Sequence, residues 1–354
     1  MKKLVASMMA MMMLVSMTGC SSETTSEEKP KLVISSFNLA EDVTERDVFA
    51  PFEEKYNCEI VKELGVVSDR FTKLKNNAEN SEVDVIELSQ AKAAEGYAAD
   101  LFQKVDMSKL ENGKDMIEAA KAVNKDNGYG PAYTVNAMGI IYDKEALGFE
   151  INEWADLWKP ELKGKIAIPV ISNTFGPAMV HVASDYKGVD IKSDDGKAAF
   201  EALAELRPNI VKTYSKSAEV ANMFSSGEIA VAVIGDYAFN TVKKASPDAT
   251  FVYPASGTYA SFNTIDITKN CKNVDLAYKW IDYRLSLETE TRTSSLENNG
   301  LGEVPVNGKV EVAEGTNVEN TFNVVRERAK TVDYTFVLPL METWTNQWNQ
   351  TLNS

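Results

Sequence analysis

A run of small polar residues precedes a predicted helix near the middle of the chain. It consists of Ser172, Asn173 and Thr174, and Phe175, Gly176 and Pro177 follow it. Residues of this type cap the free N–H groups at a helix start, and the N–H groups that remain attract negative charge. The run therefore predicts a site for a carboxylate or phosphate group of a ligand. An ordinary helix cap is the alternative.

A carboxylate and a phenol stand together at the end of a predicted central strand. The apolar, β-branched run Glu228–Ile234 is followed by Gly235, Asp236 and Tyr237. A carboxylate in this position can neutralise an ammonium group, and the tyrosine adds a ring face or a hydroxyl group. These two residues predict a cation site, with a helix cap formed by Asp236 as the alternative.

Residues that serve nucleophilic or metal chemistry are scarce. The chain has one histidine, His181, and three cysteines, Cys20, Cys58 and Cys271. A serine or cysteine nucleophile usually needs a base beside it, and the chain has no G-x-S-x-G, His-Glu-x-x-His or Walker motif. We therefore predict no catalytic residue, no metal and no cofactor. The 52 acidic residues leave a carboxylate-pair hydrolase open.

Predicted strands and helices alternate along the chain from Lys31 onward. Short apolar strands at Lys31–Ser35, Cys58–Glu63 and Asp84–Leu88 are each followed by helical sequence. This order predicts an α/β fold with a mostly parallel sheet, in which ligands lie at the carboxyl ends of the strands. A second unit of the same kind begins after Tyr133. At 354 residues, the chain is long enough for two lobes.

The N-terminus has the features of a secretory signal peptide. Lys2 and Lys3 precede a methionine-rich apolar run that ends at Met17-Thr18-Gly19-Cys20. The ending resembles a bacterial lipobox, which predicts removal of residues 1–19 and lipidation of Cys20. Residues 20–30 then form a polar tether. The protein is thus expected at the cell membrane, facing outward, with the lipid anchor as its only contact with the bilayer.

The net charge argues against one class of partner. With 37 basic and 52 acidic residues the formal charge is −15, which makes nucleic acid an unfavourable partner.

The pairing of the two remaining cysteines is left open. Cys58 and Cys271 could form a disulfide in an exported chain, or both could remain free thiols.

Four segments together resemble the type II extracellular solute-binding proteins of ABC importers, the group with polyamine-, thiamine- and ferric-ion-binding members. Their order and spacing carry the resemblance, which spans the chain from Lys31 to the C-terminus. The segments are Gly130–Tyr142, Trp154–Trp158 with Leu162–Pro169, Gly227–Ala232, and Leu301–Asn307 (LGEVPVN).

The resemblance implies two α/β lobes joined by a hinge, with a ligand cleft between them. Residues 31–134 and 258–304 would form the first lobe, and residues 135–257 and 305–354 the second. The expected partners are a small-molecule solute and a membrane permease, and the receptor is expected to be a monomer. Closure of the lobes over the solute would be a population shift.

Further cleft residues are expected at the strand ends and at the chain crossings that the resemblance implies. Aromatic rings there could enclose an apolar or cationic solute, although core packing is the alternative for each of them. Polar loop residues of the first lobe could donate hydrogen bonds. The aromatic candidates are Phe37, Tyr133, Phe175 and Tyr259, and the polar candidates are Ser36, Asn38, Ser89 and Gln90.

The solute is expected to be small and polar or cationic, and similar to a polyamine. The chain nevertheless has Ser172, Asn173 and Thr174 where the polyamine pattern has acids, and Asn263 where it has aspartate. A zwitterionic or phosphorylated solute is therefore the alternative, such as an aminophosphonate, a thiamine-type compound or a betaine. The other classes left open are a secreted carboxylate-type hydrolase and a lipoprotein adhesin or scaffold.

Overall fold

The computed structural model describes residues 29–38, 40–124 and 129–352 of the chain. The predicted signal peptide, Cys20 and residues 20–28 of the predicted tether lie outside the described residues. Within the described ranges, no helix is both long and apolar enough to cross a membrane.

The described residues contain ten β-strands, in a sheet whose order along the main path is β2-β1-β3-β9-β4-β7-β5-β6. In addition, β8 pairs with β4, and β10 pairs with β9. The strands are β1 (Lys31–Phe37), β2 (Glu59–Gly65), β3 (Val85–Ser89), β4 (Ala132–Asp143), β5 (Ile166–Pro169), β6 (Ile210–Tyr214), β7 (Val231–Gly235), β8 (Ala249–Val252), β9 (Thr258–Ile267) and β10 (Ala329–Thr331).

Helices cover both faces of the sheet. The α-helices are α1 (Glu41–Thr44), α2 (Ala50–Tyr56), α3 (Val67–Asn76), α4 (Gln90–Ala98), α5 (Glu118–Lys121), α6 (Lys144–Leu147), α7 (Gly176–Lys187), α8 (Ile191–Asp194), α9 (Lys197–Leu206), α10 (Ser217–Ser225), α11 (Phe239–Ala245), α12 (Val274–Arg284), α13 (Leu287–Ser294), α14 (Asn317–Arg328), α15 (Tyr334–Val337) and α16 (Met341–Leu352). Short 3₁₀ turns include Trp154–Trp158 and Asp236–Ala238, and Glu45–Phe49 is a π-helical turn.

The first lobe is built on β2, β1, β3 and β9. Alternate residues of its strands point to opposite faces, so that Leu32 and Ile34 of β1 enter one core while Val33 packs against a second cluster. Helix α12 covers the first of these cores with Ala277, Trp280 and Ile281, and all three side chains are fully buried. The helical spacing of those residues in the sequence predicts this packing.

Strand β4 is shared between the two lobes. Its first half pairs with β9, with Val135 opposite Phe262 and Ala137 opposite Ala260. Its second half pairs with β7 and β8, and Ile140 lies opposite Val233 of β7 and Val252 of β8. The second lobe therefore continues the same sheet through β7, β5 and β6, and it has its own cores on both faces.

The sheet is mixed rather than mostly parallel. The pairs β1–β2, β1–β3, β5–β6 and β5–β7 are parallel, as the alternation of strands and helices predicts. Strands β4 and β9 run antiparallel to each other and to their neighbours β3, β7 and β8. The difference arises because β4 and β9 carry the chain between the lobes, whereas crossover helices connect the others.

Cys58 and Cys271 do not form a disulfide. Cys58 is buried, Cys271 is half-buried, and both thiols are free.

The C-terminal segment contributes to the cores of both lobes. Val306, Val318 and Phe322 belong to the core of the first lobe. Trp344 and Trp348 of α16 belong to the core of the second lobe, so the chain changes core between α14 and α16.

Gly130 lies just before β4, close to the backbone of β9. A substitution at this position tests how closely the two segments pack. A Cβ atom on this residue would come within 2.0 Å of the main-chain oxygen of Ile265 in β9. Because that neighbour is backbone, we expect Gly130→Ala to lower the free energy of unfolding by about 1–3 kcal/mol in chemical denaturation. Gly308→Ala is the control, since its nearest atom is 3.4 Å away and little change is expected. Equal stability of the two variants would contradict the described packing.

Candidate functional site

A cavity of about 640 Å³ opens between the two lobes. Its first-lobe wall comprises Ser36, Glu87, Tyr133, Arg284 and Glu303, and its second-lobe wall comprises Thr174, Asp236, Tyr237 and Asn240. Phe37, Ser89, Asn136, Asn263 and Asn317 also line the cavity.

The strand order explains why these side chains meet. Phe37 and Ser89 are the last residues of the parallel strands β1 and β3, and Asp236 directly follows β7. The carboxyl ends of parallel strands share one edge of a sheet, where loops leave space for a ligand. Tyr133 and Asn136 reach the same space from β4, the strand that joins the lobes.

Asp236 is held at the junction of the lobes by three hydrogen bonds. Its Oδ1 accepts the N–H of Ala137 at 3.2 Å and the N–H of Tyr237 at 3.0 Å, and its Oδ2 accepts the hydroxyl of Thr321 at 2.8 Å. Ala137 lies in β4 at the crossing and Thr321 lies in α14. One carboxylate of the second lobe is thus tied to the shared strand and to a helix whose side chains enter the first core.

Burial raises the pKa of Asp236 to about 6, although the three hydrogen bonds favour the charged form. Tyr237 beside it lines the cavity and is more than half exposed, and Phe175 stacks behind its ring at a centroid distance of 6.3 Å. The second-lobe wall therefore presents a carboxylate whose charge depends on pH near 6, next to an aromatic face. Such a pair suits an ammonium group.

The first-lobe wall contains a buried ionic network. Oε2 of Glu87 accepts hydrogen bonds from Ser36 at 2.5 Å and from the Tyr133 hydroxyl at 3.2 Å. Nη2 of Arg284 donates to both carboxylate oxygens of Glu303 at 3.1 Å, and its guanidinium lies 4.4 Å from the centre of the Tyr133 ring. Burial raises the pKa of the Tyr133 hydroxyl well above its usual range, so it acts as a donor.

Comparison with known proteins assigns the family. The family described as bacterial extracellular solute-binding protein matches residues 47–320. The chain belongs to this family. The putrescine-binding periplasmic protein PotF of Escherichia coli is 30% identical over 260 residues, which cover 68% of this chain and 70% of that relative. Spermidine/putrescine-binding periplasmic protein 1 of Haemophilus influenzae is 29% identical over 234 residues, and this chain spans 64% of its length.

Solved structures agree with the two-lobed fold of this solute-binding protein. The crystal structure of an ABC transporter from Clostridium perfringens is 49% identical, with a TM-score of 0.83, and the match covers 91% of this chain and 99% of that one. The spermidine/putrescine substrate-binding protein PotD of Streptococcus pneumoniae is 19% identical with a TM-score of 0.73, covering 90% and 98% of the two chains. The second likeness concerns the fold alone.

The structure brings some of the predicted site residues together in the cavity of this solute-binding protein. These are Ser36, Phe37, Ser89, Tyr133, Thr174, Asp236 and Tyr237. All of them except Thr174 lie at the end of a strand, directly after one or on the shared strand, whereas Thr174 lies in the turn before α7.

Other predicted site residues lie outside the cavity lining. Asn38 and Ser172 are exposed, and Gln90 is half-buried at the start of α4. The amide of Asn173 donates to the main-chain oxygens of Tyr214 and Ser215, at 3.3 and 3.2 Å.

Two aromatic predictions fall on packing residues. Phe175 is buried behind Tyr237. The hydroxyl of Tyr259 donates to Asp185 at 2.7 Å, and its ring contacts His181 in the second core. The Nδ1 atom of His181 lies 2.9 Å from the main-chain oxygen of Pro177, and burial lowers the pKa of this histidine.

Sequence reasoning missed Glu87, Arg284 and Glu303. A signal for two of them was present, since Glu87 interrupts the apolar strand sequence Val85–Leu88 and Arg284 ends the apolar face of α12. Charged residues are rarely buried unless they are paired, so each of these positions indicates a partner. The identity of the partner depends on contacts between segments far apart in the chain.

Asp236 gives this solute-binding protein a testable pH dependence without any solute. Because the folded pKa is raised to about 6 from 3.8, its contribution to stability is complete below about pH 4 and is lost as the pH rises through 6. Asp236→Asn lacks this dependence. We expect its free energy of unfolding relative to wild type to rise by about 1–2 kcal/mol between pH 4.5 and 7.5 in urea titrations.

The matched control is Asp100→Asn. In the wild-type protein the Asp100 carboxylate is exposed and pairs with Lys269. Because this position is on the surface, the substitution should not reproduce the stability difference measured for Asp236→Asn. A stability difference for Asp236→Asn that stays constant between pH 4.5 and 7.5 would show that Asp236 does not titrate in this range.

Proposed function

We propose that this protein is the extracellular receptor of an ABC importer for a small amine of the polyamine type. The solute would bind between the lobes, and the closed receptor would deliver it to a membrane permease. The Haemophilus and Escherichia relatives are spermidine- and putrescine-binding proteins, which supports an amine, and the two-lobed fold supports capture between the lobes.

The observation that carries the proposal is the position of Asp236. Its carboxylate lines the cavity beside the exposed ring of Tyr237, and it has hydrogen-bond donors on both sides of the lobe junction. An ammonium group would meet a partly buried counter-charge and an aromatic face. Among the lining residues, Glu87, Glu303 and Asp236 are acidic and Arg284 is basic, so the cavity favours a cation.

Closure follows from the same contacts. A solute that touches both walls stabilises the closed state relative to the open state, and the populations shift accordingly. Asp236 contacts the shared strand at Ala137 and helix α14 at Thr321, and the Thr321 hydroxyl lies 2.6 Å from that of Tyr253. Tyr253 directly follows β8, at the start of the segment that leads into β9 of the first lobe. The Asp236 carboxylate is therefore bonded, through Thr321, to a segment that connects the lobes.

We place the lobe boundaries from the cores. We assign residues 31–134 and 258–304 to the first lobe. We assign residues 135–257 to the second lobe, and we propose that its C-terminal part begins near Ala329, in place of the boundary expected at residue 305. The reason is that Val306, Val318 and Phe322 pack in the first core.

Location and partners complete the proposal. Residues 1–19 act as a signal peptide, and lipidated Cys20 anchors a monomeric receptor on the outer face of the cell membrane. The receptor has no nucleic-acid partner and no catalytic role. His181, the only histidine of the chain, is buried between the rings of Tyr259 and Trp344.

A zwitterionic solute is the second candidate. Arg284 lines the cavity, and it could contact an anionic group while Asp236 contacts an ammonium group. Glu303 already occupies Nη2 of Arg284, so an anionic group would have to share the guanidinium with that carboxylate.

Solute binding tests the proposal directly. In calorimetric titrations with putrescine, spermidine and ω-amino alcohols, we expect at least one to bind to the wild-type protein. Asp236→Asn should weaken that binding at least tenfold, because the ammonium group loses its counter-charge. Below about pH 6, wild-type affinity should fall by up to tenfold per pH unit, since Asp236 must lose its proton to pair with the cation.

Ser172→Ala is the matched control, because Ser172 is exposed and lies outside the cavity lining. It should bind as the wild type does. If none of the amines binds, the proposed function is wrong. If an amine binds equally well to wild type and Asp236→Asn, the assignment of the ammonium site is wrong.

A further inference from the structure

Two buried polar atoms face each other in the first-lobe wall without a hydrogen-bond partner among the described residues. They are Oε1 of Glu87 and Nε of Arg284, and they lie 3.9 Å apart. The two side chains are 5% and 3% exposed, and both residues line the cavity. The separation is too long for a direct hydrogen bond, so one acceptor and one donor remain unused.

One further polar atom of each side chain already has a partner. Oε2 of Glu87 accepts from Ser36 and Tyr133, while Nη2 of Arg284 is occupied by Glu303. Buried polar groups are nearly always hydrogen-bonded, and each exception needs an explanation. Because both residues line the cavity, one explanation is a ligand group that binds between the free acceptor and the free donor.

The charge balance of this wall limits what that group can be. Glu87 and Glu303 carry two negative charges. Arg284 and Arg70 carry two positive charges, and Arg70 donates from Nη2 to the main-chain oxygen of Glu87 at 3.0 Å. The wall is therefore close to neutral, in contrast to the second-lobe wall, where Asp236 has no basic residue among its hydrogen-bond partners within the described ranges.

We propose that Glu87 and Arg284 form a subsite for an uncharged group that donates one hydrogen bond and accepts another, such as a hydroxyl. This inference rests on the proposed function and refines it. The solute would carry an ammonium group, held at Asp236, and at its other end a hydroxyl, held between Glu87 and Arg284.

Geometry and charge select this group over its rivals. An oxygen atom about 2.8 Å from both Oε1 and Nε fits between atoms 3.9 Å apart, donating to the first and accepting from the second. An ammonium group has only donors, so it would leave Nε of Arg284 unpaired and would lie beside a guanidinium. A carboxylate has only acceptors and would lie against Glu87.

A series of matched ligands tests the subsite on the wild-type protein. Calorimetry compares each ω-amino alcohol of three to five carbons with three analogues that carry a methyl, an ammonium or a carboxylate group in place of the hydroxyl. We expect the amino alcohol of the best length to bind at least tenfold more tightly than its methyl analogue, and more tightly than the diamine and the amino acid. A diamine or an amino acid that binds most tightly would overturn the proposal.

Glu87→Gln tests the residue assignment. The amide can still accept from Ser36 and Tyr133, but it turns a donor toward Arg284 and removes the free acceptor. The preference for hydroxyl over methyl should therefore fall to below threefold, whereas a merely structural effect would weaken both ligands equally. Glu95→Gln is the control, because Glu95 pairs with Lys75 and Lys92 outside the cavity, and it should keep the full preference.

The outcomes separate this inference from the proposed function. An unchanged preference in Glu87→Gln would mean that water alone bridges the two atoms, and the inference would be wrong while the amine receptor stands. Absence of binding by every amine would overturn both. If Glu87→Gln does not fold by circular dichroism, Arg284→Lys replaces it, since lysine lacks the donor at the Nε position and should lose the same preference.

Discussion

Strand β4 belongs to both lobes, and the arrangement of the protein follows from this constraint. The strand pairs with β9 through its first half and with β7 and β8 through its second. The strand and the neighbouring β9 therefore join the two lobes within one sheet. The cavity lies over the same region, because the carboxyl ends of β1 and β3 and the residue after β7 all reach the edge of the sheet beside β4.

The two walls of the cavity differ in electrostatics, and under our proposal this difference would orient the solute. In the second-lobe wall, burial disfavours the ionised form of Asp236, whereas three hydrogen bonds stabilise it. Because burial has the larger effect, the pKa of Asp236 is raised to about 6. In the first-lobe wall the charges of Glu87, Glu303, Arg284 and Arg70 balance one another within the protein. The net charge of −15 describes the whole chain and does not determine the chemistry of the cleft.

The sequence allowed most of the scaffold to be predicted, because local patterns determine it. The apolar runs of β1, β3 and β7 and the helical spacing in α12 are properties of short segments. The short strand β6 (Ile210–Tyr214) was missed, since five residues with a lysine among them give no clear pattern. The mixed sheet was also missed, because the direction of β4 and β9 depends on how the lobes connect.

The cavity was only partly predictable. Asp236 and Tyr237 were found because a polar pair after a buried strand is a local feature. Ser172 and Asn173 were expected at a helix start, but α7 begins at Gly176, and the amide of Asn173 bonds to the chain after β6 instead. Glu87 lies in β3, Arg284 at the end of α12 and Glu303 in the loop after α13. The sequence alone does not show that these three segments lie side by side.

The central claim is that an ammonium group of the solute meets the carboxylate of Asp236. Its most direct test is a carbon-13 NMR titration of the Asp236 side-chain carboxyl, without solute and with a saturating amine identified by calorimetry. We predict a pKa near 6 in the free protein and a pKa at least one unit lower in the complex. A pKa that is unchanged or higher in the complex would contradict it.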